Sequence, residues 1–337
     1  MPCYHPLKAF VIGVKDGKRQ LKVVSYDVDH LERSGDGYTG VSTPSYNRLG
    51  DKTEWLQIPC GQCVGCRLER SRQWANRCML ELQYHKSSYF VTLTYDEDHV
   101  PVSMYGDRET GEAHPSLTLR KRDFQLFMKR LRKKFGDGIR FFAAGEYGTE
   151  TFRPHYHAII FGLELDDLEV YNRSAQGFTY YNSPALQACW QNGFAVVAEV
   201  SWDTCAYTAR YVMKKLTGAE SQFYSDFNIE PEFSLMSRRP GIARQYYDDH
   251  PDLYQYDYIN ISTEDGGRKF RPPKYFDRLY DLDCPEDSAR LKEIRKNLAI
   301  EAQKAKIGQS SLTYLEQLAV DEAAKLSQIK SLKRSLV

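Results

Sequence analysis

Stretches of β-forming residues, and stretches whose apolar positions recur at helical spacing, divide this chain into a series of short elements. Tyr89-Phe90-Val91-Thr92-Leu93-Thr94 reads as a strand. From Asp123 to Phe135, the residues Phe124, Phe127, Met128, Leu131 and Phe135 share one stripe, and Gly136 follows. This predicts an amphipathic helix with a basic outer face. Arg140 to Ala144 and His155 to Phe161 predict two strands joined by a turn containing Gly145 and Gly148. Phe194 to Val200 predicts a further strand, and Thr204 to Leu216 a helix closed by Gly218. Upstream, Leu68, Ala75, Cys78, Met79 and Leu82 fall near one stripe, so residues 64–86 are expected to be helical. Residues 1–59 read as irregular, with short strands such as Ala9 to Ile12, and residues 99–117 as a loop.

This order of elements suits an α+β fold, an antiparallel sheet with helices packed on it. Four segments are expected: an N-terminal cysteine-rich segment and helix over 1–86, a core over 87–218, a Tyr- and Arg-rich accessory region over 219–284, and a helical C-terminal tail over 285–337. The tail carries a stripe of Leu315, Leu318, Leu326, Ile329, Leu332 and Leu336, interrupted upstream by Gly308.

With 42% hydrophobic and 27% charged residues over 337 positions, the composition is that of an ordinary soluble globular protein. No apolar run approaches membrane-spanning length, so no membrane partner is expected. The start, Met1-Pro2-Cys3-Tyr4-His5, lacks a basic stretch followed by an apolar one, so a reducing cytoplasm is expected. The eight cysteines are then not a disulfide framework. The net charge is only +1, but it is unevenly spread. Eight cations fall between Arg120 and Lys134, and tyrosine is frequent at 24; tyrosine interleaved with Arg and Lys suits stacking on unpaired nucleic acid. Arg120, Lys121, Lys129, Arg130 and Lys133 are the candidate DNA contacts on that helix.

The chemistry centres on Pro154-His155-Tyr156-His157. Residues i and i+2 of a strand share a face, so His155 and His157 project together and Ile159 and Phe161 continue their row. Glu146, nine positions before His155, would lie across a short hairpin from the histidines. Two imidazoles and one carboxylate make a candidate site for Mg²⁺ or Mn²⁺, with positions left for water and a phosphate oxygen. Fifty residues beyond His157, Tyr207 and Tyr211 lie one helical turn apart on one face, and Lys214 follows on the same face. They are the candidate nucleophiles, with Lys214 placed to stabilise charge at a phosphate. A phenol has a pKa of about 10, so most of the activation must come from a metal acting on the phosphate.

Cys60, Cys63 and Cys66 form C-x2-C-x2-C, a candidate structural metal site for zinc or an iron–sulfur cluster. Its fourth ligand is expected from Cys3, with His5 and Cys78 as rivals.

Taken together, these motifs resemble the HUH endonucleases that initiate rolling-circle replication. Phe90-Val91-Thr92-Leu93-Thr94 is similar to their first motif, His155-Tyr156-His157 to the metal strand, and Tyr207-x3-Tyr211 with Lys214 to the tyrosine helix. Pro59-Cys60-Gly61-Gln62-Cys63-Val64-Gly65-Cys66-Arg67 and Phe233-Ser234-Leu235-Met236-Ser237-Arg238-Arg239-Pro240-Gly241 are similar to the branch found in gokushovirus-type microviruses. The likeness covers roughly residues 1–280. Two positions depart from it: Tyr156 is polar at its tip, and Arg210 stands where many relatives carry Lys.

The resemblance implies a HUH fold and a metal-dependent single-strand endonuclease and ligase. It implies a 5′-phosphotyrosine intermediate at Tyr207 or Tyr211; Arg210, although a departure, is still cationic and can clamp a phosphate bidentately as a candidate DNA contact. The implied partners are single-stranded or supercoiled viral origin DNA, a host helicase and a host DNA polymerase, in the cytoplasm of a bacterial host. With Lys214 in the expected place behind it, Tyr211 is expected to be the more sensitive of the two tyrosines. The alternatives are a plasmid relaxase or HUH transposase, or a non-catalytic zinc-bearing nucleic-acid-binding protein.

Overall fold

A computed structural model describes residues 3–43, 51–148, 151–174, 177–211, 215–216, 218–263 and 266–331. The chain forms two compact units. One joins the residues up to Glu69 with those from Leu291 onward; the other spans Arg70–Arg290.

The first unit opens with β1 (Leu7–Lys15), β2 (Lys18–Ser25), β3 (His30–Ser34), β4 (Gly37–Val41) and β5 (Trp55–Ile58). β1 pairs antiparallel with β2 and β5, and β3 pairs with β4. This is more strand than the irregular segment expected from sequence. The strands of β2 and β4 bury almost nothing, so no apolar alternation marks them. Helix α1 (Val64–Leu82) begins in this unit and continues into the second.

In the second unit the elements run β6 (Ser88–Tyr95), β7 (Val102–Gly106), β8 (Ala113–Leu117), α2 (Lys121–Phe135), β9 (Arg140–Tyr147), β10 (Pro154–Phe161), β11 (Glu169–Arg173), β12 (Thr179–Asn182), α3 (Pro184–Gln187), β13 (Gly193–Glu199) and α4 (Trp202–Tyr211). After these come α5 (Gln222–Asp226), β14 (Phe233–Met236), α6 (Arg244–Asp249), β15 (Ile259–Thr263), β16 (Gly266–Phe270) and α7 (Lys274–Asp283). The C-terminal helices are α8 (Pro285–Ile307) and α9 (Tyr314–Ser331). Among the described residues, one antiparallel sheet has the order β11-β12-β13-β6-β10-β9-β14. The α+β architecture with an antiparallel sheet and a helical C-terminal region is therefore as the sequence predicts.

Alternation along the central strands gives the sheet two distinct apolar faces. Val91, Leu93, Tyr95, Ala143, Tyr156, Ala158 and Ile160 face α2 and pack on Phe124, Phe127, Met128 and Leu131. Phe124 and Phe127 are fully buried, and each such ring is worth about 1.5–3 kcal/mol relative to exposure. α2 ends at Gly136, whose φ of 105° lies where a side chain would be strained, and its N–H bonds the Arg132 carbonyl. Phe90, Phe142, Ile159, Phe161 and Ala198 face the other way, onto Ala75, Cys78 and Met79 of α1 and Cys205, Ala206 and Ala209 of α4.

Residues 99–117, expected to be a loop, form the β7–β8 hairpin. Its turn is held by Asp107, whose Oδ1 accepts the N–H groups of Glu109 and Thr110. The accessory region supplies β14, which pairs with β9 at the edge of the sheet.

Candidate metal and tyrosine site

The β9–β10 hairpin builds the site by register. Glu146 stands opposite His155, and Ala144 opposite His157, so Glu146 and both histidines share one face. His155 Nε2 lies 2.8 Å from Glu146 Oε1, and His157 Nε2 lies 3.1 Å from the same oxygen. The three donor atoms fall within 4.8 Å of one another. Glu146 and His157 are buried, while His155 is 19% exposed and forms the rim.

The far ring nitrogens orient the pair. His155 Nδ1 lies 3.1 Å from the Arg153 carbonyl, which can only accept, so the proton sits on Nδ1. His157 Nδ1 lies 3.0 Å from Thr92 Oγ1 on β6. A proton on Nδ1 leaves Nε2 as the coordinating nitrogen, the arrangement a metal-bound histidine uses. Burial pushes the Glu146 carboxyl up, but with no ion bound Nε2–H donation from His155 and His157 outweighs it and holds it down to about 2; a bound cation would take the place of those protons. Two imidazole nitrogens and an ionised carboxylate oxygen at this spacing fit a divalent cation.

α4 delivers Tyr207 to the same face. Ser201 and Thr204 cap its start reciprocally: each side-chain oxygen accepts the other's backbone N–H, at 3.2 and 2.8 Å. Cys205, Ala206 and Ala209 pack inward, and Ser71 Oγ on α1 donates to the Ala206 carbonyl at 3.1 Å. This fixes the turn that carries Tyr207, whose ring centroid lies 5.2 Å from that of His157. The exposed Arg210 guanidinium lies 5.6 Å from the Tyr207 ring centroid. The helix is described to Tyr211; the Tyr211 side chain and Lys214 lie outside the described residues.

The cations of α2 land elsewhere. α2 covers the face of the sheet opposite to the histidines, so Arg120, Lys121, Lys129, Arg130 and Lys133 are not brought to the triad. The reason is the parity of β10: Tyr156, between the histidines, points to α2. Its hydroxyl bonds Tyr95 Oη at 2.6 Å and the Arg120 carbonyl at 2.8 Å. The polar tip at this position therefore ties the strand to the start of α2. Arg130 is fastened to the Cys189 carbonyl at 3.3 Å, and Lys121 lies over the Phe233 ring.

Sequence reasoning missed Phe194. Register places it beside Thr94, and Thr94 beside His155, which faces Glu146, so the four residues form one row across the sheet. Phe194 is 64% exposed, a large aromatic open to solvent in the row of the triad. β13 enters at Gly193, where an added Cβ would fall 2.3 Å from the Thr94 carbonyl oxygen. The alternation of 194–200 carried part of this signal; the openness of the row did not show.

In the first unit, Cys3 joins Cys60, Cys63 and Cys66, with all four sulfurs within 4.8 Å of one another. The rival ligands lie elsewhere: His5 bonds Glu322 at 2.6 Å, and Cys78 is buried beside Cys205.

Residues 88–216, the stretch holding β6, the triad and α4, match the family model for replication-associated protein ORF2/G2P. The chain belongs to this family of phage replication-associated proteins. It is 35% identical over 288 residues to Replication-associated protein ORF2 of Spiroplasma virus 4, covering 83% of this chain and 85% of that protein. It is also 29% identical over 280 residues to Replication-associated protein VP4 of Bdellovibrio phage phiMH2K, covering 79% and 82%. With Replication-associated protein ORF4 of Chlamydia phage 1 it shares 32% identity over 166 residues, 47% of this chain and 38% of that one. No solved structure matches. Among the described residues, no helix is long and apolar enough to cross a membrane.

Proposed function

We propose that this protein is a HUH endonuclease that initiates rolling-circle replication by nicking one strand of viral origin DNA. The observation that carries the reading is the Tyr207 ring packed against His157, on the face where Glu146 and His155 converge. Glu146, His155 and His157 would hold Mg²⁺ or Mn²⁺, which supplies charge neutralisation at the scissile phosphate when bound. The phenol oxygen of Tyr207 or Tyr211 attacks phosphorus as it loses its proton. A Tyr–O–P bond forms, the bond from phosphorus to the 3′ oxygen breaks, and that oxygen takes up a proton. The products are a 5′-phosphotyrosine and a free 3′ hydroxyl for a host polymerase, with a host helicase separating the strands in the bacterial cytoplasm. The reverse attack, by a 3′ hydroxyl on the ester, joins the displaced strand into a circle. With two tyrosines a turn apart, one holds a 5′ end while the other is free for the next origin.

Arg210, beside Tyr207, is suited to clamp a phosphate bidentately, and Lys214 is the candidate for charge at the leaving oxygen. Phe194, exposed in the same row, is suited to stack an unpaired base.

Incubation with single-stranded origin DNA and Mn²⁺, followed by SDS electrophoresis and mass spectrometry of the adduct peptide, tests the reading. DNA linked to Tyr207 or Tyr211 is the expected result. Linkage to any other residue, or no adduct with EDTA-insensitive cleavage, overturns it.

A further inference from the structure

We infer that Cys3, Cys60, Cys63 and Cys66 hold a single zinc ion in a closed tetrahedral thiolate site that clamps the first compact unit. The inference is independent of the nicking reaction. Size argues for a single ion. The four sulfurs lie within 4.8 Å of one another, and Cys3 and Cys63 are 3.9 Å apart. Bonds of about 2.3 Å from one zinc to four sulfurs give tetrahedral edges of about 3.8 Å. In a four-iron cluster each thiolate binds a different iron, which spreads the sulfurs farther than this. The same spacing exceeds the roughly 2.05 Å of a disulfide, and the cysteines are free thiols.

The backbone around the site is arranged to support anionic sulfur. The Tyr4 N–H reaches Cys63 Sγ at 3.3 Å and the Cys60 N–H reaches Cys3 Sγ at 3.2 Å. The N–H groups of Gln62 and Cys63 reach Cys60 Sγ at 3.4 and 3.3 Å. Gly61, with φ of 77°, makes the turn that points them inward. Four protein ligands leave no position for water or substrate, which marks a structural and not a catalytic ion. Leu318 and Tyr314 of α9 pack on the cluster with Tyr4 and Val64, and Leu318 is 1% exposed. The site therefore joins three stretches distant in sequence: the N-terminus, the Cys60–Cys66 knuckle and the last helix. A small apolar cluster with these members has too little surface to fix them without a staple.

The test is elemental analysis of the full-length protein purified without chelator, alongside Cys63→Ser and His157→Ala. The expected result is one zinc per chain and no iron in the wild type, loss of that zinc in Cys63→Ser, and its retention in His157→Ala. Because Cys63→Ser can unfold, Co²⁺ replacement in the wild type supplies a second readout: the intense visible bands of tetrahedral thiolate cobalt, displaced by one equivalent of zinc. Iron with acid-labile sulfide, zinc lost in His157→Ala but kept in Cys63→Ser, or a wild type that takes up neither zinc nor cobalt would overturn the assignment.

Discussion

The two faces of the central sheet are written into the same strands, yet they differ in kind. On one face Tyr156 is sealed under α2, with its hydroxyl held by Tyr95 and the Arg120 backbone. On the other, one residue away in either direction, His155 and His157 meet Glu146, and the row runs out through Thr94 to the exposed Phe194. The closed face spends its polar groups on stability. The open face gathers its polar groups beside a rim formed by the partly exposed His155 and the exposed Phe194. Neighbouring positions on β10 should therefore respond to mutation in opposite ways.

The largest effect is expected at His157. His157→Ala should lower adduct formation by well over about a hundredfold, since loss of a ligand's partner alone costs about 10–100-fold. The melting temperature should shift little by comparison. Nicking that stays normal and EDTA-sensitive in this variant would remove the triad from the mechanism. Next comes the tyrosine pair. Tyr207→Phe and Tyr211→Phe should each reduce the adduct, and the double variant should abolish it while origin binding persists. The contact between Tyr207 and His157 gives Tyr207 a structural claim that sequence alone assigned more strongly to Tyr211. The single variants, compared by adduct yield, decide between them.

Phe194→Ala probes the edge of the open face. Loss of one stacked base should weaken binding of single-stranded DNA by about 1–3 kcal/mol, read as a raised KM with kcat nearly unchanged. A change in kcat alone would instead make Phe194 a support for the triad. The smallest functional effect is expected on the closed face. Tyr156→Phe should cost about 1–3 kcal/mol of stability, because buried partners lose a hydrogen bond, and leave the nicking rate of folded protein intact. Thermal melting and single-turnover nicking together separate the two outcomes.

How much of this was legible in the sequence follows from the range of each interaction. The hairpin that carries Glu146, His155 and His157 is local, so spacing and strand periodicity sufficed. α2 was legible because Phe124, Phe127, Met128 and Leu131 repeat at helical spacing. Which face α2 covers was not legible, since that depends on how the strands pair, so the sequence named its basic residues as DNA contacts without showing that they lie on the face opposite the triad. β14 escaped notice because its burial does not alternate, and the β7–β8 hairpin because β7 and β8 alternate only between exposed and half-buried positions and bury no residue fully. Cys3 remained one of three rivals for the fourth cysteine ligand because 57 positions of chain separate it from Cys60. Only the folded first unit brings the two together.

The register of the β9–β10 hairpin makes the metal face a matter of parity. A one-residue slip of β10 against its neighbours would send both histidines under α2 and turn Tyr156 toward Tyr207, and no partly built site lies between these states. A two-residue change would restore the face while displacing Glu146 from its partner. Convergence of Glu146, His155 and His157 is thus a digital readout of correct strand pairing. Changes of length in the connection before β10 are therefore tolerable only where the loop absorbs them and the Glu146–His155 pairing is kept.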